Sequence, residues 1–341
     1  MQKILAKTED MRAAINEEMK AVLQYDDNVT PDLFLGMNHY HMGWVDERMQ
    51  PVSVHAGKQI RPLLLLLANQ AAGGEWRQAV PAAAAIELLH NFSLIHDDIE
   101  DASPTRRGRK TLWTIWGVEQ AINAGDAMFA QAHLAMGRLL ERGVPADITV
   151  RALRRFDETC LNLTRGQFHD MDFETRENVT VDEYMGMITG KTAVLISLCA
   201  ELGALIAGCD AQTVGHYAQF GLELGLAFQV KDDILGIWGD EAVIGKSASS
   251  DISTKKKTLP VLYGLSQSAE LRQLYRQEDT SGPFVAEAIR LLDESGARQY
   301  AIEKAAAYSQ SALAHLEAAQ PDGAAHTTLN ELAGFLLQRD F

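Results

Sequence analysis

The sequence predicts an all-α protein. Apolar residues recur at the three-to-four-residue spacing of helices along most of the chain, whereas a strict alternation of apolar and polar residues over strand lengths is hard to find. Only 9 of the 341 residues are proline, so long helices are possible. Short clusters of glycine, serine and proline mark the breaks between them. We therefore expect roughly ten or more helices and no sheet.

The chain is predicted to form one domain. A length of 341 residues allows one or two domains. No stretch has the composition of a flexible linker, and no solenoid-type repeat is visible. A single large helical bundle over residues 1–341 is the simplest interpretation.

Composition excludes some classes of partner. Lys and Arg number 31 against 46 Asp and Glu, a net charge of −15, which disfavours nucleic acid as a partner because duplex binding needs a basic surface. No apolar run approaches the roughly 20 residues that cross a bilayer, and residues 1–23 resemble an amphipathic helix rather than a signal peptide. Three cysteines without CxxC spacing suggest no zinc site. We expect a cytoplasmic protein without a membrane span.

The acidic run 97–101 (DDIED) follows the apolar segment 88–95 and is expected near the C-terminal end of a helix. Asp97 and Asp101 are four residues apart and share a helix face. Two carboxylates at this terminus repel each other, and the helix dipole adds to that cost, unless a cation bridges them. Oxygen ligands alone select Mg²⁺. We expect Asp97 and Asp101 to bind the metal, with Asp98 in support.

A second acidic pair, Asp232 and Asp233, also ends an apolar helical segment. A lone cluster of this kind is more often a solvated acidic helix face than a metal site. Two clusters, each followed by basic loops, favour the metal site, because together they could clamp one diphosphate.

Positive charges gather beside glycine and proline. Residues 57–62 (GKQIRP) place Lys58 and Arg61 just before an apolar helix, a combination suited to a diphosphate near a helix N-terminus. Residues 105–108 (TRRG) come soon after the first acidic run, so that two adjacent arginines can serve two anions. Residues 190–192, 245–246 and 255–260 add lysines, although none of them belongs to a Walker loop.

These elements together resemble the trans-isoprenyl diphosphate synthases, the family of farnesyl, geranylgeranyl and longer polyprenyl diphosphate synthases. The resemblance covers nearly the whole chain. It comprises the family's elements GKxxRP (57–62), first aspartate-rich segment (90–101), RRG (105–108), GQxxD (166–170), GKT (190–192), second aspartate-rich motif (228–235) and KxTxP (256–260).

The resemblance implies an all-helical fold with a central cavity, usually a homodimer, and three Mg²⁺ ions. It implies catalytic roles for Asp97, Asp101, Lys191 and Asp232. Isopentenyl diphosphate would be bound by Lys58, Arg61, His90 and Arg107. The allylic diphosphate, with a dimethylallyl, geranyl or farnesyl group, would be bound by Arg106, Lys191, Thr192, Gln229, Lys246 and Lys256. The metal ligands would be Asp97, Asp98, Asp101, Asp232 and Asp233.

One departure concerns the second motif. The family usually has aspartate at its fifth position, where this chain has Gly236. The third metal ion is then expected to depend on Asp232, and a direct ligand role of Asp233 is in doubt.

Product length in this family depends on how far the growing tail passes along the helix of the first motif. Phe92 is five residues before Asp97, about 7.5 Å deeper, with Ser93 and Leu89 nearby. An aromatic floor at this place resembles the geranylgeranyl-forming members. Phe92 as an ordinary core residue is the alternative.

Two other functions are open on the sequence. A class I terpene cyclase shares the helical cavity and the first motif, but its usual Asn, Ser and Glu metal motif is not found after Asp233, and it has no use for Lys58 and Arg61. A non-catalytic partner subunit of a prenyl synthase would be expected to have lost aspartates from the motifs. In this chain only position 236, which is glycine, departs from the aspartate motifs.

Overall fold

The computed structural model describes residues 2–52, 54, 57–239, 249–278 and 280–337, and the predicted all-α fold class is confirmed. The helices up to residue 137 are α1 (Gln2–Lys7), α2 (Glu9–Val22), α3 (Leu33–His41), α4 (Ile60–Ala71), α5 (Val80–Glu100), α6 (Leu112–Trp116) and α7 (Val118–Gly137). Two short 3₁₀ helices cover Trp76–Ala79 and Leu140–Arg142.

The later helices include a short π-helical turn at Thr189–Ala193 that joins α9 to α10. They are α8 (Ala146–Thr175), α9 (Val181–Ile188), α10 (Val194–Ile206), α11 (Ala211–Trp238), α12 (Ser250–Ser253), α13 (Leu259–Gln267), α14 (Ala269–Tyr275), α15 (Gly282–Glu294), α16 (Ala297–Ala318) and α17 (Gly323–Leu337).

The expectation of no sheet is wrong for four residues. Strand β1 (Thr105–Arg106) pairs antiparallel with β2 (Arg109–Lys110), so that Arg106 lies opposite Arg109. The two residues between the strands have positive φ, 52° at Arg107 and 75° at Gly108. This combination forms the tight two-residue turn that matches strand twist, and glycine adopts it without strain. The basic TRRG element is thus a small rigid hairpin.

The chain divides into two compact units. The first contains Met1–Arg155, Leu202–Asp210 and Asp322–Leu329, and the second contains Phe156–Glu201, Ala211–Pro321 and Asn330–Phe341. The division falls within α8, α10 and α17. The expectation of one domain over residues 1–341 stays a prediction.

Helix α5 is the central helix of the first unit. Its alanine-rich start favours a helix, and Pro81 stands in the first turn, where a missing amide hydrogen costs no internal bond. Residues 82–89 are all at most 4% exposed, and α2, α4 and α7 pack around them. Full burial of one leucine side chain stabilises the fold by about 1.5–3 kcal/mol. This packing fixes the position of the helix end that carries the first aspartate cluster.

Helix α11 is the central helix of the second unit. It packs along α16, and its Tyr217, Phe220 and Leu224 are fully buried. A Cβ atom on Gly221 would lie 2.6 Å from the carbonyl oxygen of Ile196, so α11 touches α10 backbone to backbone there. The second aspartate cluster lies on the last two turns of this helix.

One helical stretch among the described residues, Val181–Ile206, is long and apolar enough to cross a membrane by length and composition. The sequence pattern alone does not indicate this stretch, because Asp182, Glu183 and Lys191 interrupt its apolar runs. Two thirds of its most apolar part are buried inside the protein, as in the core helix of a soluble protein. By itself the stretch is weak evidence for a membrane span.

The contact between α10 and α4 gives a stability prediction. A Cβ atom on Gly203 would lie 2.7 Å from both the amide nitrogen of Asn69 and the carbonyl oxygen of Leu65. Because backbone atoms cannot move aside cheaply, Gly203→Ala should destabilise the protein by about 1–3 kcal/mol, measured as a lower urea midpoint. Gly215→Ala is the control, since a Cβ there meets nothing within 4 Å. An equal change in both variants would contradict the prediction.

Candidate active site

The predicted site residues are distributed over both units. The first unit contains Lys58, Arg61, Leu89, His90, Phe92, Ser93, Asp97, Asp98, Asp101, Arg106 and Arg107. The second contains Lys191, Thr192, Gln229, Asp232, Asp233 and Lys256. Lys246 lies outside the described residues.

The first aspartate cluster lies in the last turn of α5, as predicted. Helix α5 ends at Glu100, and Asp101 is its C-cap residue. Asp97 is half-buried and Asp101 is exposed, and the amide of Asp101 donates a hydrogen bond to the carbonyl oxygen of Asp97 at 2.9 Å. The two carboxylates therefore lie one turn apart at the negative end of the helix dipole, where a bound cation would relieve their repulsion.

Asp98 is the buried member of this cluster. Its Oδ1 accepts a hydrogen bond from Nε of Arg106 at 2.7 Å. Burial raises the pKa of the Asp98 carboxyl, and the bond to Arg106 opposes this change. The ion pair ties the hairpin to the end of α5. These contacts give Asp98 the supporting role that the sequence suggested, while its assignment as a metal ligand stays a prediction.

The two arginines of the hairpin have different neighbours. Arg106 is held by Asp98, whereas the guanidinium of Arg107 lies beside Gly57. A Cβ atom on Gly57 would approach Nη2 of Arg107 to 3.2 Å. The turn between β1 and β2 thus directs two adjacent cations to separate places, as two anionic groups would require.

Arg61 and His90 form a second basic contact in the first unit. Nη1 of Arg61 lies 3.2 Å from Nε2 of His90. Burial, followed by the positive charges of Arg61 and Arg107, lowers the pKa of His90 well below its ordinary value, so the imidazole is neutral. A neutral imidazole nitrogen can accept a hydrogen bond from the guanidinium.

Glu87 belongs to this group although the sequence reading passed over it. It lies one turn before His90 on α5 and is only 4% exposed. Burial raises the pKa of its carboxyl, and the charges of Arg61 and Arg107 partly offset that effect. Its signal in the sequence was a single acidic residue inside the apolar run of 82–89. The carboxyl of Glu87 therefore interacts electrostatically with both arginines inside the first unit.

The loop that precedes α4 has an unusual backbone. Gln59, its N-cap residue, adopts the left-handed conformation (φ 49°, ψ 41°). Its buried side chain donates from Nε2 to Oδ1 of Asn16 on α2 at 2.7 Å. This bond helps to hold a conformation that non-glycine residues seldom adopt. Gln59 lies between Lys58, whose side chain is exposed, and Arg61. Sequence reasoning had no means of finding Asn16.

The proposed chain-length residues lie on α5 beside α7. Leu89 is fully buried, and the ring of Phe92 lies 4.9 Å from that of Phe129 and 4.7 Å from that of His96. The hydroxyl of Ser93 donates to the carbonyl oxygen of His90 at 2.8 Å. Phe92 therefore has aromatic neighbours on two sides, and its role as the floor for a product stays a prediction.

In the second cluster Asp233 is the buried aspartate. Its Oδ2 accepts from the Tyr184 hydroxyl at 2.6 Å and from the Leu259 amide at 3.1 Å, and its Oδ1 accepts from Nε2 of Gln229 at 3.2 Å. Burial raises the pKa of Asp233 to about 7, against the effect of these hydrogen bonds. Asp232 is only half-buried. The contacts give Asp233 a structural role, and its direct binding of metal stays a prediction.

Gln229 connects this aspartate to the π-helical turn. The hydroxyl of Thr192 donates to Oε1 of Gln229 at 3.0 Å, and the Gln229 amide in turn donates to Asp233. Two residues predicted to bind the allylic diphosphate are therefore in direct contact. Their side-chain orientations depend on one another and on Asp233.

Lys191 is held by an acidic residue of α8. Its ammonium group lies 2.5 Å from Oδ2 of Asp170. The helices can come this close because Gly166 and Gly190 lie backbone to backbone: a Cβ atom on Gly166 would lie 2.2 Å from the Lys191 amide nitrogen. Single π-helical turns occur frequently at functional sites. Asp170 was part of the GQxxD element but was not selected as a site residue.

The lysines before α13 differ in their contacts. Lys257 donates to the carbonyl oxygens of Phe173 and Glu174 near the C-terminal end of α8, where a cation is favoured. Lys256 has an exposed side chain, and its amide donates to the carbonyl oxygen of Asp251 at 2.8 Å. Of the two, Lys256 is the one whose ammonium group is more accessible to a diphosphate.

The donor set fits Mg²⁺ only together with a phosphate ligand. Within the described residues, no three His, Cys, Asp or Glu side chains lie close enough to form a metal site by themselves. Mg²⁺ is commonly held by one or two carboxylates, several waters and the phosphates of a substrate. Asp97 and Asp101 in the first unit, and Asp232 in the second, carry hard carboxylate oxygens of the kind that Mg²⁺ prefers, and their binding of metal stays a prediction.

A pH dependence follows from His41 at the end of α3. Burial, followed by the charges of Arg107 and Arg106, lowers the pKa of His41 to about 3 from 6.5. Between pH 6.5 and about 3, the unfolded chain is protonated at His41 whereas the folded protein is not. The contribution of His41 to the free energy of unfolding is therefore complete above pH 6.5 and decreases as the pH falls toward about 3.

His41→Gln should remove this dependence. Urea unfolding of both proteins at several pH values below 6.5 should show a free energy of unfolding that falls less steeply in the variant than in the wild type. His90 is present in both proteins and cancels in the comparison. Equal slopes would show that His41 is not held neutral by the fold.

Comparisons with known proteins show which family this chain is similar to. Residues 42–292 match the family model described as polyprenyl synthetase. The chain is 40% identical over 309 residues to geranylgeranyl diphosphate synthase of Mycobacterium tuberculosis, covering 89% of this chain and 86% of that protein. It is 41% identical over 274 residues to (2E,6E)-farnesyl diphosphate synthase of the same organism, covering 78% and 75%.

A solved structure extends the likeness to the fold. The geranylgeranyl pyrophosphate synthase of Corynebacterium glutamicum, complexed with isoprenyl diphosphate and magnesium, superposes with a TM-score of 0.79 at 26% sequence identity. The superposition covers 96% of this chain and 98% of that one.

Proposed function

Because the chain belongs to the polyprenyl synthetase family, we propose that it is a magnesium-dependent prenyltransferase that condenses an allylic diphosphate with isopentenyl diphosphate. The family suggested by the sequence motifs is confirmed. The observation that supports the activity best is the pair of aspartate clusters. Each lies near the end of the central helix of its unit, and each has cations held nearby by carboxylates.

The reaction breaks the bond between the allylic carbon and its diphosphate. Pyrophosphate leaves with the electron pair, the double bond of isopentenyl diphosphate attacks the allylic cation, and a proton is then lost, by family analogy to the released pyrophosphate. Asp97 and Asp101 of the first cluster and Asp232 of the second would hold Mg²⁺, which would offset the negative charge of the diphosphate and of the leaving group. No histidine base is required.

Cationic side chains of this chain would stabilise the pyrophosphate as it leaves. Lys191 is oriented by Asp170, and Arg106 by Asp98, so both can stabilise the departing pyrophosphate without reorganising during the reaction. Thr192, Gln229, Lys246 and Lys256 complete the proposed allylic diphosphate site. Lys58, Arg61, neutral His90 and Arg107 would bind isopentenyl diphosphate, and the carboxyl of Glu87 interacts electrostatically with both arginines. Apolar walls must keep water from the cation.

Three further properties belong to the proposal. Three Mg²⁺ ions are expected, and their number can be measured by titration in the presence of a bisphosphonate.

A homodimer is supported by large apolar side chains exposed on α7 and α8, namely Val118, Ile122, Leu134, Val150, Leu161 and Phe168. A monomer in sedimentation velocity at micromolar concentration would reject it. We also expect a cytoplasmic location, which cell fractionation can test.

An incorporation assay tests the activity. The purified protein is incubated with Mg²⁺, radiolabelled isopentenyl diphosphate and dimethylallyl, geranyl or farnesyl diphosphate, and the products are sized. We expect elongation of at least one primer. Asp97→Asn and Asp232→Asn should each slow it by about 100-fold or more, because metal-assisted charge stabilisation contributes several kcal/mol. Glu317→Gln, which changes an exposed carboxylate of α16, should leave the rate unchanged.

The same assay separates the alternatives. A cyclic hydrocarbon formed from the primer alone would indicate a terpene cyclase. No incorporation with any primer would reject the synthase and favour a non-catalytic partner subunit. The likeness to both a geranylgeranyl and a farnesyl diphosphate synthase leaves the product length to experiment.

We propose geranylgeranyl diphosphate as the product, with Phe92 as the floor of the product site. Phe92→Ala should then lengthen the products, because removal of the ring opens space beside Phe129. Phe34→Ala is the control, since that ring is 52% exposed at the start of α3. Products of unchanged length from Phe92→Ala would show that Phe92 is only a packing residue.

A further inference from the structure

The hairpin of β1 and β2 places two arginines directly opposite each other. Arg106 pairs with Arg109, so their side chains leave the same face of the hairpin with Cβ atoms about 5 Å apart. Like charges in this arrangement destabilise a strand pair, and each strand here has two residues. A hairpin of this size is not stable by itself in water. It therefore depends on contacts with the rest of the first unit.

Arg109 provides such a contact with α3 and with the segment that follows it. Its Nη1 donates to the carbonyl oxygen of Tyr40 at 2.8 Å, and its Nη2 donates to that of Val45 at 2.7 Å. Its guanidinium lies over the ring of Tyr40, 3.9 Å from the ring centroid, where a cation is attracted by the ring electrons. The Tyr40 hydroxyl donates to the carbonyl oxygen of Lys110 at 3.0 Å. Arg109 and Tyr40 together tie strand β2 to the end of α3.

The partners of Arg109 have fixed positions. Tyr40 and Val45 are 4% and 1% exposed. The Tyr40 ring packs edge-on against that of Trp116 in α6, with 5.2 Å between the centroids. Because buried residues cannot move without disturbing their neighbours, these two carbonyl groups fix the position of Arg109 and of β2.

Arg107 lies at the turn, between the two strands. Its backbone is left-handed, with φ at 52°, a conformation that non-glycine residues keep only where the surrounding structure holds them. Arg106 holds β1 through its bond to Asp98, and Arg109 holds β2. The turn between them then has one orientation, in which the Arg107 guanidinium lies beside Gly57. Loss of Arg109 would release β2, and Arg107 would have to be ordered by its ligand.

We propose that Arg109 is a positioning residue of the isopentenyl diphosphate site, which fixes the turn so that Arg107 is oriented before the substrate binds. The inference depends on the proposed function, because that function assigns Arg107 to isopentenyl diphosphate. A side chain that is already ordered loses less conformational freedom on binding, so the affinity is higher. Arg106, which is assigned to the allylic diphosphate, keeps its bond to Asp98 without Arg109. The effect of Arg109 should therefore be selective for isopentenyl diphosphate.

Substrate affinities test this assignment apart from the rate of catalysis. Isopentenyl diphosphate alone, and with Mg²⁺ the allylic primer that is elongated best, are titrated separately into the protein by calorimetry. Arg109→Met keeps most of the side-chain length and removes the charge and the donors. It should raise the Kd for isopentenyl diphosphate by about 10-fold, which is the cost of ordering one long side chain. The Kd for the allylic primer should rise by less than about threefold, because Arg106 stays bound to Asp98.

Arg77→Met is the matched control. The guanidinium of Arg77 also lies over an aromatic ring, that of Trp76 at 4.4 Å from the centroid, but Arg77 is not part of the hairpin. Both Kd values of this variant should equal those of the wild type.

Two milder variants make the test specific. Arg109→Lys keeps the charge over Tyr40 but lacks the planar fork that reaches two carbonyl oxygens, so its Kd for isopentenyl diphosphate should lie between those of Arg109→Met and the wild type. Tyr40→Phe serves if Arg109→Met does not fold. It keeps the ring and removes the bond to Lys110, and it should weaken binding of isopentenyl diphosphate about threefold.

The outcomes are distinguishable. An unchanged Kd for isopentenyl diphosphate in Arg109→Met, or an equal weakening of both substrates, would overturn the assignment of Arg109 even if the wild type elongates prenyl chains. An equal weakening would indicate a general loss of structure instead of a positioning role. Failure of the wild type to bind isopentenyl diphosphate and to elongate any primer would reject the proposed function, and the role of Arg109 with it.

Discussion

Each aspartate cluster depends on one buried carboxylate that must find donors inside the protein. Asp98 and Asp233 are the second aspartates of their clusters, and they are 3% and 2% exposed. A buried charge costs several kcal/mol unless it is paired or hydrogen-bonded. The chain provides an arginine for one, and a tyrosine, a glutamine and a helix amide for the other. The more exposed aspartates, Asp97 and Asp232, then lie on elements whose orientation these bonds fix.

The same bonds position several cations of the proposed site. Asp98 fixes the hairpin that carries both arginines, and Asp233 binds the amide that opens α13, directly after the lysines. Through Gln229, Asp233 also connects to Thr192. A diphosphate site needs positive charges at fixed positions, because side chains that must reorganise during the reaction stabilise the leaving group less. Within each unit, one buried acid therefore organises several of the residues that are proposed to bind the diphosphates.

Glycine determines how closely the helices of the second unit approach. Gly166 and Gly190 let α8 touch the π-helical turn, which brings Asp170 to Lys191. The sequence places these glycines in the GQxxD and GKT elements that resemble those of the family. In the structure, the contact they make is between backbones, and the charge pair follows from it. At Gly236 the missing side chain has the same effect, since it admits the carboxylate of Asp251.

The amino-acid sequence by itself determined the all-α class, the location of both aspartate clusters near helix ends, and the family. These features depend on helical periodicity and on the order of short motifs, both of which are local. It did not determine the four-residue hairpin or the partners of Asp98 and Asp233. It also could not give the contacts of Asn16, Glu87 and Asp170. The hairpin depends on the positive φ of Arg107 and Gly108. Most of the other features arise from contacts between side chains on different elements, so that only the tertiary structure decided them. The approach of these elements depends on burial and, in the second unit, on the absence of side chains at a few glycines.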